Sequence, residues 1–160
     1  MMGKITLILA AMILITGGAM IMTTCPAMAE GGNFGLGIII GEPTGFVGKM
    51  FLSDRNAIDG ALAWSLDDNN YMHVHGDYLF HNFFILEDVK GEFAWYLGIG
   101  GRIALVDDHD NHVGVRFPVG ITYLFQDTRF DTFFELVPIM DVAPDTDFDL
   151  EGAIGIRFYF

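Results

Sequence analysis

Residues 150–160 read Leu-Glu-Gly-Ala-Ile-Gly-Ile-Arg-Phe-Tyr-Phe, and their alternation decides how the chain folds. Side chains point to opposite faces at successive positions of a strand. Leu150, Gly152, Ile154, Ile156, Phe158 and Phe160 therefore share one face. Asp149, Glu151, Ala153, Gly155, Arg157 and Tyr159 share the other. The first face is apolar and the second mixes charges with small residues, so the two must meet different surroundings.

Working back from this segment, clusters of Asp, Asn, Gly and Pro divide the chain at nearly even spacing. These residues make turns for definite backbone reasons. They predict strands at 33–41, 45–52, 57–66, 71–83, 93–105, 113–125, 130–142 and 149–160. In the sixth, Val113, Val115, Phe117, Val119, Ile121, Tyr123 and Phe125 oppose Gly114, Arg116, Pro118, Gly120, Thr122 and Leu124. In the fifth, Phe93, Trp95, Leu97, Ile99, Ile103 and Leu105 oppose Ala94, Tyr96, Gly98, Gly100, Arg102 and Ala104. No strand carries a charge on its apolar face. Pro118 and Pro138 fall within strands, where a missing N–H interrupts a ladder, so a bulge or a break is expected at each.

The chain has 160 residues and is 52% hydrophobic, yet no apolar run after residue 30 is long enough for a helical span. In lipid, a backbone that is not helical is satisfied only by a closed barrel. The amino-terminal segment fits export. Lys4 precedes an apolar stretch from Ile5 to Ile15, broken only by Thr6, and Ala27-Met28-Ala29 forms a small-x-small cleavage site before Glu30. Residues 1–29 are thus expected to be a cleaved signal peptide and residues 30–160 the barrel domain. Cys25, the sole cysteine, leaves with the leader, and Met22-Thr23-Thr24 before it makes a poor lipobox. The balance of 8 basic against 21 acidic residues, net −13, argues against a nucleic-acid partner.

Two senses of closure are open. A transmembrane barrel puts the apolar face toward lipid, where a mid-membrane Arg or Lys costs about 2–4 kcal/mol. A secreted soluble barrel puts that face inward around an apolar ligand. The polar face of the fifth strand is Ala, Tyr, Gly, Gly, Arg, Ala, short of the roughly 25–35% charge of a soluble exterior. Small residues with scattered charges suit the inside of a narrow barrel instead. The expected fold is an all-β, eight-stranded, antiparallel up-and-down transmembrane barrel.

This constellation resembles the small eight-stranded bacterial outer-membrane barrels, the class of the OmpA transmembrane domain and OmpX. Gly41-Glu42-Pro43-Thr44-Gly45, Ala61-Leu62-Ala63-Trp64-Ser65, Asp77-Tyr78-Leu79-Phe80-His81-Asn82 and Tyr96-Leu97-Gly98-Ile99-Gly100-Gly101-Arg102 resemble, more locally, a family of bacterial outer-membrane-barrel proteins with no agreed activity. The resemblance implies an outer-membrane location, lipid as the surroundings, and a C-terminal strand (Ile154, Ile156, Phe158, Phe160) read by the barrel-assembly machinery. If both termini face the periplasm, as in that class, the outward loops are short, unlike those of adhesive members.

Several groups of residues are candidates for chemistry. Lys49, Arg102, Arg116 and Arg157 share the polar face with Asp59, Asp77, Asp131, Glu135, Asp141 and Glu151. They are expected to pair inside the barrel, as a filling that fixes register or as a gate whose ion pairs swap partners. His73, His75 and His81 lie on one strand face with Asp77, and His-x-His aims two imidazoles the same way, which is half of a metal site. His109 and His112 sit in the stretch Asp107-Asp108-His109-Asp110-Asn111-His112, which matches no calcium-loop spacing. Ser65 lies on the strand next to His73 and His75, but no nucleophile motif surrounds it. The reading is therefore of a non-enzymatic barrel without a cofactor, with a structural or interaction role. A narrow pore is the alternative.

Overall fold

The computed structural model describes residues 32–64, 71–84, 90–106 and 111–160. The leader, Ser65, His109 and most of the 107–112 stretch lie outside the described residues. Among the described residues nine strands follow one another: β1 (Phe34–Gly41), β2 (Thr44–Phe51), β3 (Asn56–Trp64), β4 (Tyr71–Phe84), β5 (Gly91–Val106), β6 (His112–Arg116), β7 (Val119–Phe125), β8 (Phe130–Ala143) and β9 (Asp147–Tyr159). Every pairing is antiparallel, and β1 pairs with both β2 and β9, which closes the ring. Closure leaves no unpaired sheet edge.

The ring has eight staves, because β6 and β7 are two halves of one. Both lie between β5 and β8. The break falls at Phe117-Pro118, where the sequence places a proline without an N–H to donate. Register is the same on either side: Arg116 faces Gly100 and Val119 faces Leu97 on β5, while the same two residues face Ile139 and Leu136 on β8. Hydrogen bonds bridge the gap, with Gly98 N–H donating to Pro118 O at 2.8 Å and Phe117 N–H to Pro138 O at 2.9 Å. The one shift in this stave lies at its far end, between Val113 and Gly114. Pro138 stays within β8, opposite Leu150, and makes no bulge there.

Alternation sorts the faces as the strand pattern predicts. The outer face carries Phe46 (64% exposed), Leu150 (62%), Ile40 (56%) and Ile154 (54%), with similar residues on every stave. The inner face holds Lys49, Arg102, Arg116 and Arg157, all buried. The inverse sense, a soluble barrel around an apolar ligand cavity, is thus not the one this fold adopts. Inward glycines make room for large side chains. A Cβ on Gly120 would collide with the ring of Tyr96, and one on Gly155 with the ring of Phe133.

A charge forced onto the outer face tests the sense of the barrel. Ile99, midway along β5 and half exposed, is the place to put one. Ile99→Arg is expected to cost about 2–4 kcal/mol, the mid-membrane penalty for a lipid-facing arginine. Urea unfolding in lipid vesicles measures it. In water the same substitution would cost almost nothing.

Candidate functional site: the lumen

The lumen is built in layers, and the register of the ring decides which inward residues meet. At the end where the described chain begins and ends, Phe51, Ala57, Leu79, Tyr96, Leu124 and Tyr159 form one buried apolar cluster, with Phe83 packed on it. Six staves contribute: β2, β3, β4, β5, β7 and β9. Phe51 lies 6.1 Å from the ring of Tyr159 and 5.2 Å from that of His81, and His81 lies 5.2 Å from Tyr96. The other two staves close against it. Gly35 of β1 lies under the Tyr159 ring, and Asp131 of β8 accepts a hydrogen bond from the Tyr159 hydroxyl at 2.8 Å. Centroid separations of this size are those of closely packed aromatic pairs.

Beside this layer Arg157 grips Asp131 with two donors, Nε to Oδ1 at 3.0 Å and Nη2 to Oδ2 at 2.9 Å. Its guanidinium stacks 4.0 Å from the Phe133 ring centroid. Mid-barrel, Arg116 Nε donates to both oxygens of Asp77 at 3.2 and 3.1 Å, and its Nη1 donates to Glu151 Oε2 at 2.9 Å. Glu135 accepts from the Tyr96 hydroxyl at 2.9 Å and lies 4.0 Å from Arg116 Nη2. Toward the other end Arg102 holds Asp141 bidentately (3.1 and 2.8 Å), Glu151 at 2.6 Å and Asp149 at 3.2 Å. Glu151 therefore bridges two arginines, and only Asp149 of this set reaches the rim, with its side chain 49% exposed. Fork-shaped guanidinium contacts of this kind are directional, and they fix which staves face each other.

Two expected participants do not join the lattice. Lys49 forms no ion pair with a carboxylate among the described residues, although Asp59 lies directly opposite it on β3. Its Nζ instead lies 2.6 Å from His81 Nε2, over the rings of Phe51 (4.7 Å) and Tyr96 (5.4 Å). Neither does Asp59 touch an arginine, and its buried Oδ1 has no hydrogen-bond partner. The physical reason is height in the barrel. Lys49 sits one inward position from Phe51, so its chain reaches the aromatic layer, where the ring faces and the imidazole lone pair receive its N–H groups.

The histidines divide rather than cluster. His73 and His75 are neighbours, 3.3 Å apart between Nε2 and Nδ1, and His73 Nδ1 lies 3.5 Å from Glu151. His81 belongs to the aromatic layer, and His112 stands at the rim, 3.6 Å from Asp141. Among the described residues no group of three or more ligands could hold a metal ion. The sequence reading missed the closing layer itself. Its signal was parity alone: Phe51 shares a face with Lys49, Leu79 with Asp77, and Tyr159 with Arg157.

With the geometry in hand, the class of fold is an eight-stave antiparallel β-barrel with an apolar exterior and a filled, charged interior. The N-terminal β-barrel domain of OprF from Pseudomonas aeruginosa has a similar structure, with a TM-score of 0.60 at 15% identity, over 81% of this chain and 99% of that domain. No family model and no curated protein matches the chain.

Proposed function

We propose that the chain is an integral protein of the bacterial outer membrane whose closed barrel serves a structural or interaction role. The observation that carries this reading is the pairing of an apolar outer belt with a lumen filled by buried side chains. Arg116, Tyr96 and Tyr159 are wholly inaccessible, and Arg157 and Lys49 nearly so. An apolar surface on every stave would drive aggregation in water, whereas lipid accommodates it. The likeness to the OprF barrel domain supports the same surroundings. Export through the periplasm and insertion by the barrel-assembly machinery follow from this reading. Ile154, Ile156, Phe158 and Phe160 on the outer face of the last stave would be the residues that machinery reads.

A narrow pore for ions or small solutes is the second reading. The chain of polar contacts from Asp149 through Arg102, Glu151 and Arg116 runs down the lumen and favours it. Planar-bilayer recording of the purified protein separates the two. A closed barrel gives no resolvable current steps, and Arg102→Ala and Glu135→Ala leave it silent. Steps in the unmodified protein that change with either substitution would establish the pore.

A further inference from the structure

Among the described residues, Asp59, Asp77, Asp131, Glu135, Asp141 and Glu151 share the lumen with Lys49, Arg102, Arg116 and Arg157, and one of these acids stands apart. Asp77, Asp141 and Glu151 are gripped by Arg116 or Arg102, Asp131 by Arg157, Tyr159 and Thr122, and Glu135 by Tyr96. Asp59 has no such partner, and its Oδ1 is buried without a hydrogen bond. Its cross-strand neighbours are Lys49 on one side and Asp77 on the other, so a second acid lies directly opposite it on β4. Lys49 of β2 and Asp77 of β4 flank it, and Glu135 of β8, Arg157 of β9 and the phenols of Tyr96 and Tyr159 act on it electrostatically within the lumen. Both cations are engaged elsewhere. Arg157 spends Nε and Nη2 on Asp131, and Lys49 reaches His81. The two other carboxylates repel a charge on Asp59. Asp59 is half-buried as a residue, but an ionised carboxylate with an enclosed, unpartnered oxygen is far more costly than the neutral acid.

We propose that Asp59 is a proton-binding site in the barrel interior, a neutral carboxylic acid in the folded protein at neutral pH. The proton offsets part of the excess of acids over bases and removes the repulsion with Asp77 across the β3–β4 pair. Lys49 is then free to stay in the aromatic layer, because no carboxylate charge draws it back along the lumen. The site takes a proton rather than a metal ion, since Asp77 and Glu135 already give oxygens to Arg116 and Tyr96.

Infrared spectroscopy of the folded barrel in detergent tests this directly, with unheated gel mobility confirming the fold of each sample. Exposed carboxyls are ionised at pH 7. A carbonyl-stretch band of a protonated carboxyl at that pH is expected, and it should shift when aspartate is labelled with carboxyl carbon-13. Asp59→Asn should abolish the band. Asp59→Glu should move its isotope sensitivity from labelled aspartate to labelled glutamate, which keeps the assignment testable if Asp59→Asn does not fold. Absence of the band in the unmodified protein overturns the proposal. So does a band that persists in Asp59→Asn, or one that stays aspartate-sensitive in Asp59→Glu.

Discussion

Arg116→Met should lower the unfolding free energy of the barrel by about 3–5 kcal/mol, the usual cost of removing one partner from a buried charge lattice. Arg116 is wholly buried, and its guanidinium bridges Asp77 of β4 to Glu151 of β9 across the lumen. Without it, Asp77 loses the two contacts from Nε, and Glu151 keeps Arg102 and the nearby His73 but loses the hydrogen bond at Oε2. The methionine fills much of the volume, so the loss reports uncompensated carboxylates rather than a cavity. Urea titration followed by tryptophan fluorescence in detergent measures it. A further change of Asp77→Asn should recover part of the loss, because it removes the stranded charge. Recovery would identify the lattice as the source, and a double variant no better than the single would point to packing.

The second large effect concerns the closing layer. Tyr159→Ala should cost about 3–5 kcal/mol, as truncation of a large buried aromatic does. Tyr159→Phe should cost only about 1–3 kcal/mol, the penalty for leaving a buried acceptor short of one donor. The acceptor is Asp131, which retains Arg157. Combining Tyr159→Ala with Phe51→Ala removes the two rings stacked 6.1 Å apart and opens the section where six staves meet. Planar-bilayer recording of that double variant should show current steps that the unmodified barrel lacks. Continued silence in a folded double variant would move the barrier to the charged layers.

The alternation of the last strand was enough to read the faces. Once Arg157 and Glu151 are placed inward, Tyr159 and Ala153 follow by parity, and the outer set of Ile154, Ile156 and Phe160 is fixed. The break at Phe117-Pro118 was legible as well, because proline lacks the donor. What alternation does not carry is the register between strands, and register decides which inward residues share a layer. Lys49 and Asp59 illustrate this. They lie opposite each other on neighbouring strands, yet Lys49 ends at His81, because shear in a barrel brings β4 residues further along the strand to the height of its amine. The closing layer was hidden for the same reason. Phe51, Leu79 and Tyr159 come from distant parts of the chain, and only the closed ring assembles them.

The most direct test of the account is cell fractionation followed by gel electrophoresis with and without boiling. A closed barrel inserted in the outer membrane predicts a band in the outer-membrane fraction that changes mobility on heating, since folded barrels resist detergent until heated. A soluble periplasmic band with no heat shift would contradict both the location and the outward sense of the apolar face.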